Sequence, residues 1–379
     1  MPVFSCGGMR YQESWVRGTP VTPSVQQNLE ATIDRALSLG IDHIETARGY
    51  GTSEAQLGPA LARHPRAAFK LQTKIRPNDS SKTFEAQLEE SFAQLGVSYL
   101  DLFSFHGINT PKCLERVLRP GGCYEVIDRL RKEGRIRHVG FSTHAPTRLI
   151  VEAIETGAFD YVNLHYYFIF QDNRPALLAA RQQDMGVFLI SPNDKGGRLY
   201  TAPPKLRALC APLSPVVFND LWCLAQPEVH TLSLGPAKPE HLDEPLQTLP
   251  YLEKGRAEAV LAPIVECLAR AYRQAVGADF AERWQVGLPD FSQMPGRINV
   301  RRILWLYNLV RAYDLLDFAQ ERYAAMDPDD PWVPGAHAVG FRDDDMRAAL
   351  PDSPFRDQIP PLLRAAHDTL FDPNVEGGP

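Results

Sequence analysis

Over the first two-thirds of the chain, short apolar runs alternate with longer segments of helical periodicity, the rhythm of βα units and a parallel sheet. Eight runs read as strands: Val3–Gly7, His43–Thr46, Phe69–Thr73, Leu100–Phe105, His138–Ser142, Tyr161–Leu164, Val187–Ser191 and His230–Leu234. After Pro23-Ser24, Leu29, Ile33, Ala36 and Leu37 fall on one helical face. Ser53 is placed to cap a helix carrying Leu57 and Leu61, and Ser80 or Ser81 one carrying Phe84, Leu88 and Phe92. Further helices are predicted over Cys113–Gly134, Thr147–Thr156, Arg174–Asp184, Pro215–Ala225 and Pro239–Gln247. Polar residues gather at the strand ends: Glu45, Lys74, His106, Ser142 and Asn163. Eight strands, each followed by a helix, with polar ends, predict an α/β fold of the closed (β/α)8 TIM barrel type, in which chemistry sits at the C-terminal ends of the strands.

Past about Leu252 the pattern changes. Helical stretches follow over Glu253–Val276 and Val300–Met326, then a Pro/Asp-rich tail from Asp327 to Pro379 with short helices near Arg347 and Leu363. The chain of 379 residues exceeds the roughly 250 of a typical barrel of this kind. We therefore expect residues 1–250 to form the barrel and residues 251–379 a helical C-terminal extension and tail.

Composition narrows the functions without choosing one. A net charge of −6 gives no electrostatic footprint for nucleic acid. No apolar run approaches the ~20 residues that span a bilayer, and the first residues lack the charged start and apolar core of a secretory signal. The expectation is a cytoplasmic protein with neither a membrane nor a nucleic-acid partner. The six cysteines (Cys6, Cys113, Cys123, Cys210, Cys223, Cys267) are scattered, with no C-x₂-C pair of the kind a metal site favours. They read as reduced, mostly buried thiols, and no metal site is expected.

The densest chemistry lies at three successive strand ends: Glu45-Thr46-Ala47-Arg48-Gly49-Tyr50-Gly51, then Lys74, then His106. Together they suit carbonyl reduction. Hydride addition leaves negative charge on oxygen, so such a site needs a proton donor and a polarising group. A tyrosine with a pKa near 10 is a poor acid at neutral pH unless a cation lies beside it. Lys74 fits that cation, a carboxylate behind it would keep it charged, and His106 would hydrogen-bond the substrate oxygen. Taken singly, each has a plainer explanation as a rim tyrosine, a solvated lysine or a satisfied histidine. Their order on successive strand ends carries the argument.

The segment Gly40-Ile41-Asp42-His43-Ile44-Glu45-Thr46-Ala47-Arg48-Gly49-Tyr50-Gly51-Thr52-Ser53-Glu54 strongly resembles the aldo-keto reductase signature, an acid-Thr-Ala-x-x-Tyr-Gly motif followed by Ser-Glu. The resemblance implies a (β/α)8 barrel and an NADPH-dependent reductase of an aldehyde or ketone. It implies Tyr50 as general acid, Lys74 as the residue lowering its pKa and His106 as the residue orienting the carbonyl. Glu45 stands where the family usually has Asp. Further on, Gly134-Arg135-Ile136-Arg137-His138-Val139-Gly140-Phe141-Ser142 looks like the family's turn into the fifth strand. There Ser142 and Thr143 would approach the nicotinamide amide, with Asn163 in place of the usual Gln.

Val187-Phe188-Leu189-Ile190-Ser191-Pro192 resembles the seventh strand, with Ile190 where an aromatic commonly stacks on the nicotinamide and Ser191 beside the cofactor. The following Asn193-Asp194-Lys195-Gly196-Gly197-Arg198, with Lys195, would help hold the pyrophosphate. Gly235-Pro236-Ala237-Lys238-Pro239-Glu240-His241-Leu242-Asp243-Glu244 looks like the family's cofactor loop. In it Gly235 and His241 would line the nucleotide, Lys238 would meet the 2′-phosphate of NADP and Glu244 would lie by the adenine. A cation there favours NADPH over NADH. Arg10 and Arg48 would suit an anionic or oxygen-rich substrate, though surface arginines are common.

The resemblance runs from about Val3 to Gln247. It also implies a short hairpin ahead of the first strand, which this sequence does not show. The region Leu288 to Asn299, ending Pro295-Gly296-Arg297-Ile298-Asn299, resembles a ferredoxin-like extension found in a bacterial subgroup. The cluster cysteines are absent: cluster binding needs about four thiolates, and no cysteine follows Cys267, so the segment reads as a cluster-free helical extension. Trp284, Trp305, Tyr313 and Tyr323 are therefore expected in a core. Two rival readings remain. A metal-dependent hydrolase on the same barrel would draw on His43, His106, His138, His144 and His165, but leaves Tyr50 without a role. An NADPH-binding sensor or scaffold with little turnover would fit the changes at Glu45 and Ile190.

Overall fold

The computed structural model describes residues 1–253 and 255–377. Its first elements alternate as the periodicity predicts: β1 (Phe4–Gly7), α1 (Pro23–Ser38), β2 (His43–Glu45), α2 (Ser53–Leu61), β3 (Lys70–Ile75), α3 (Ser81–Leu95) and β4 (Leu100–His106). Two helices, α4 (Pro111–Leu118) and α5 (Cys123–Lys132), then precede β5 (Ile136–Ser142). The series continues with α6 (Thr147–Glu155), β6 (Tyr161–Leu164), α7 (Arg174–Gln182), β7 (Gly186–Ile190), α8 (Pro192–Lys195), α9 (Pro204–Cys210), α10 (Pro215–Leu224), β8 (Thr231–Leu234) and α11 (Asp243–Leu246). The strands pair in parallel in chain order, and β1 closes on β8. This is the predicted (β/α)8 TIM barrel.

The one long helix expected over Cys113–Gly134 is two. Arg119 adopts extended backbone before Pro120, because a proline disfavours helical geometry in the residue it follows. Ser80 caps α3 by accepting from the Thr83 amide at 3.2 Å. Ser53, expected as a cap, is the first residue of α2, and Thr52 precedes it.

Strand side chains alternate between two faces, and the two faces here differ in chemistry. One set, including Phe4, Ile44, Leu71, Phe103, Phe105, Val139, Phe141, Val162, Leu164, Val187, Leu189 and Leu232, belongs to the main apolar core with residues of the surrounding helices. The alternate set fills the barrel and is unusually polar for an interior normally packed with branched apolar residues. Ser5 Oγ lies 2.7 Å from His43 Nδ1 and 2.9 Å from Thr231 Oγ1. Gln72 Nε2 donates to Ser104 Oγ at 3.0 Å and to Asn163 Oδ1 at 3.1 Å, and Ser104 donates to the Tyr161 hydroxyl at 2.9 Å. Below this network Leu102, Tyr161 and Phe188 form a small separate cluster. A cavity of about 500 Å³ opens there, at the N-terminal ends of the strands and away from Tyr50, with Arg137, His138 and His230 also in its lining.

The chain divides into two compact units: Met1–Gly196 with Val216–Ala257, and Gly197–Pro215 with Glu258–Pro379. The second is helical, with most of α12 (Arg256–Val276), then α13 (Ala278–Arg283), α14 (Val300–Tyr313), α15 (Leu316–Ala324), α16 (Asp343–Ala348) and α17 (Ile359–Leu370). The helix predicted over Val300–Met326 breaks at Asp314, which takes left-handed backbone (φ 59°) and ends α14. Asn299 caps that helix by accepting from the Arg302 amide at 3.0 Å. Trp284, Tyr313 and Tyr323 are buried, and Trp305 packs edge-on against Phe318.

Gly58 marks the tightest approach of α2 to its neighbour, since a Cβ there would lie 2.1 Å from the Gln94 carbonyl of α3. Alanine is the better helix former by about 1 kcal/mol. Overpacking of this kind costs about 1–3 kcal/mol and outweighs that gain. Gly58→Ala is therefore expected to destabilise the protein, read as a lower urea midpoint at unchanged slope.

Candidate active site

The inward register of the strands brings the charged residues together. Glu45 pairs across the sheet with Gln72, so Lys74, two residues on, is the next inward position of β3. Lys74 is almost fully buried and its Nζ lies 2.7 Å from Glu45 Oε2. The ammonium also donates to the Thr46 carbonyl at 3.1 Å. The second carboxylate oxygen, Oε1, accepts from Ser233 Oγ at 2.7 Å, so both ends of the carboxylate are occupied. Two buried charges are tolerated when geometry and added hydrogen bonds offset their desolvation, and here both conditions are met.

Beyond β2 the backbone runs on beside β3, with the Thr46 amide on the Gln72 carbonyl and the Arg48 amide on the Lys74 carbonyl. The turn that follows, closed by the Tyr50 amide on the Ala47 carbonyl, sets Tyr50 over the ion pair. Lys74 Nζ is 5.1 Å from the centre of the Tyr50 ring. The His106 ring meets that of Tyr50 edge-on at 5.5 Å, and Trp15 does so from another side at 6.3 Å. The structure thus brings Glu45, Lys74, Tyr50 and His106 into one cluster.

Its electrostatics follow from burial and charge. Burial pushes the Glu45 carboxyl up, but the charge and hydrogen bond of Lys74, with the Ser233 hydroxyl, bring it below its ordinary value. Burial likewise disfavours the Lys74 ammonium, and Glu45 and Tyr50 more than restore it, raising its pKa. Both therefore stay charged at neutral pH. Part of Tyr50 remains exposed, yet the protein around the phenol raises its pKa against the opposing influence of Lys74. The phenol accordingly holds its proton at neutral pH, with a cation placed to favour the phenolate once the proton leaves. Burial, followed by Lys74, Arg76 and Lys195, holds His106 well below its ordinary value, so the ring is neutral.

The residues expected at the cofactor lie on β5 to β8 and the loops after them. Ser142 and Asn163 are register partners on β5 and β6. Ser142 Oγ accepts from the Gly107 amide at 3.2 Å. Thr143 spends its hydroxyl on two loops, donating to the Ile108 carbonyl after β4 and accepting from the Ala145 amide of its own loop. Asn163 Oδ1 accepts from Gln72 Nε2, while its buried Nδ2 has no hydrogen-bond partner among the described residues. Ser191 takes left-handed backbone (φ 43°) just before α8, and its amide bonds the Ser233 carbonyl. Lys195 ends α8. Lys238 precedes a short 3-10 turn, Pro239–Leu242. His241 Nδ1 accepts from the Ala237 amide at 3.3 Å, and Glu244 begins α11. Asn28 pins this loop to α1 by donating to the Ala237 carbonyl at 2.7 Å.

Three contributors escaped the sequence reading. Ser233 was legible in principle, as an inward polar position on β8. Arg10 read only as a cation suited to an anionic or oxygen-rich substrate, but it bridges three strand ends by donating to the Gly235 carbonyl at 2.8 Å and pairing with Asp194 at 2.6 Å. Trp15 sits in a loop without periodicity, so nothing local marked it.

The aldo/keto reductase family model matches residues 4–202, more than half of the sequence and most of the barrel. The chain belongs to the aldo/keto reductase family. A Mycobacterium sp. (strain KMS) protein named aldo-keto reductase is 34% identical over 151 residues, 38% of this chain and 52% of that one. An Escherichia coli (strain K12) protein named NADH-specific methylglyoxal reductase is 26% identical over 187 residues, 44% of this chain and 56% of that one. The chain spans about half the length of the curated relatives it matches. An aldo-keto reductase from Bacillus halodurans, solved in its holo form, shares the fold at 19% identity, with a TM-score of 0.57 over 70% of this chain and 91% of that one. In this aldo/keto reductase no helix among the described residues is long and apolar enough to cross a membrane. The six cysteines are free thiols, and burial, with Glu45 beside it, pushes Cys6 up to about 12.

His43 lies beneath the ion pair, and burial followed by the Lys74 charge lowers its pKa to about 4, despite Glu45 nearby. Above its unfolded value of about 6.5 the ring is neutral in both states and contributes no pH dependence. Between 6.5 and 4 the unfolded chain takes up a proton that the folded barrel refuses, so stability falls with pH by about 3 kcal/mol in all. His43→Gln should flatten that slope in urea unfolding measured from pH 7 to 4.

Proposed function

We propose that this aldo/keto reductase reduces the carbonyl of a small aldehyde or ketone to an alcohol, with NADPH as reductant and Tyr50 as proton donor. The observation that carries the reading is the buried Glu45–Lys74 pair directly beneath Tyr50, with a neutral His106 edge-on to the same ring. The nicotinamide supplies a hydride when bound. Reduction of a carbonyl would open its C=O π bond and place charge on oxygen, and that charge is what the residues here are set to meet. The Tyr50 O–H bond breaks as its proton passes to that oxygen, and the Lys74 ammonium stabilises the phenolate left behind. Glu45 keeps Lys74 charged throughout. His106, neutral and able to donate from a ring nitrogen, orients the carbonyl without competing for the proton.

The residues present suit the cofactor. The orphaned Nδ2 of Asn163 is a buried donor waiting for an acceptor, as a carboxamide oxygen would be. Among the described residues Ser142 only accepts, from the Gly107 amide, so its hydroxyl proton remains to donate. Arg10 follows β1 and Lys195 follows β7, and cations there suit a diphosphate, whereas Lys238 after β8 is kept for the 2′-phosphate. Lys238 supports NADPH over the NADH named for the Escherichia coli relative. That relative's name supports a small carbonyl substrate of the methylglyoxal kind.

Tyr50→Phe should lower turnover of an aldehyde by about 10²–10⁴-fold while leaving NADPH binding intact, read by stopped-flow oxidation and by fluorescence titration. Unchanged turnover would refute the assignment. Lys238→Ala should weaken NADPH at least about tenfold, a loss of ~1.4 kcal/mol, and leave NADH within twofold of its original Kd. An equal loss for both nucleotides would remove the case for a 2′-phosphate contact.

A further inference from the structure

Glu45 is one methylene longer than the aspartate usual at its place, and the barrel carries a matching recess. A Cβ on Gly7, the register partner of Glu45 on β1, would lie 3.0 Å from Glu45 Oε1, 3.1 Å from Ser233 Oγ and 2.7 Å from the Leu234 carbonyl. The bare backbone at Gly7 therefore makes the space that Oε1 occupies. Ser233, on β8 at the far side of β1, reaches into that space and donates to Oε1 at 2.7 Å. Oε2 meanwhile meets Lys74 at 2.7 Å. The carboxylate thus spans from β8 to β3 with one oxygen fixed at each end. The titratable groups facing it are Lys74, His43, Tyr50, Cys6 and Tyr11.

We propose that Ser233 is a positioning residue for the Lys74 ammonium, acting through Glu45, and that the recess formed by Gly7 and Ser233 makes glutamate the fitted carboxylate at position 45. This rests on the reading that Lys74 serves Tyr50 in reduction. An aspartate on the same backbone is shorter by about 1.5 Å, one C–C bond. It cannot hold both Ser233 and Lys74, so a buried ammonium loses either its partner or its position. Restoring the commoner family residue would therefore impair this protein. A displacement near 1 Å at a reacting centre costs up to about 10²-fold in rate.

The test is a double-mutant cycle on the full-length protein, with turnover of NADPH and an aldehyde measured for wild type, Ser233→Ala, Glu45→Asp and the double variant. The carboxyl ¹³C resonance of Glu45 is titrated in parallel. Expected are a fall in kcat of about tenfold for Ser233→Ala and about 10²-fold for Glu45→Asp. In the aspartate background Ser233→Ala should change kcat less than about twofold, because the contact is already gone. KM for NADPH should hold throughout, and the Glu45 carboxyl should titrate at higher pH once Ser233 is alanine. The proposal is overturned if Glu45→Asp matches or exceeds wild type, if the two losses simply multiply, or if the carboxyl titration does not move. Should the wild type turn over no carbonyl at all, the functional reading fails, while the carboxyl titration still judges the role of Ser233.

Discussion

Lys74 carries a full charge inside the barrel, and much of the surrounding arrangement can be understood as the means of keeping it there. An isolated ammonium in such a place would lose its proton, and removing one member of a buried pair typically costs ~3–5 kcal/mol. Glu45 supplies the countercharge, Thr46 a carbonyl acceptor, and Ser233 a donor that stops the carboxylate from turning away. The same charge reaches outward. It opposes the rise in the Tyr50 pKa and helps hold His43 and His106 neutral. Burial is the largest influence on all three groups; the Lys74 charge adds to it at the two histidines and opposes it at Tyr50, and the resulting states are the ones the proposed carbonyl reduction needs.

The barrel interior extends this logic downward. Ser5, His43, Gln72, Ser104, Asn163 and Thr231 occupy inward positions that in most such barrels are apolar. They bond to one another in two groups, Ser5 with His43 and Thr231, and Gln72 with Ser104 and Asn163, which offsets part of the cost of burying them. Asn163 links the second group to the proposed cofactor contacts. Its oxygen is fixed from below, which leaves its nitrogen for a ligand.

Much of this was legible in the sequence, because the strands are short and strictly alternating. The residues Glu45, Lys74 and His106 stand at strand ends in the inward phase, so a closed barrel alone brings them together. Tyr50 was legible through its motif, and its position over Lys74 follows from a tight turn of conventional kind. Helix breaks were harder. The break before Pro120 was visible in the proline, but an aspartate at 314 taking left-handed backbone leaves no such mark. The contacts of Arg10, Trp15 and Ser233 were hidden for another reason. Each depends on elements distant in the chain, as with Glu45 and Ser233, whose bond closes the barrel across 188 positions. Periodicity reports which face a residue takes, whereas the partner it meets on that face is set by closure of the sheet.

The most direct test of the account follows an isotope rather than a rate. NADPH carrying deuterium at the transferable position of the nicotinamide would be incubated with the protein and 4-nitrobenzaldehyde, and the product examined by mass spectrometry. The account predicts an alcohol with one deuterium bound to carbon and an exchangeable proton on oxygen. An alcohol without the label, or no alcohol from labelled NADPH or NADH with any of a range of aldehydes and ketones, would contradict it.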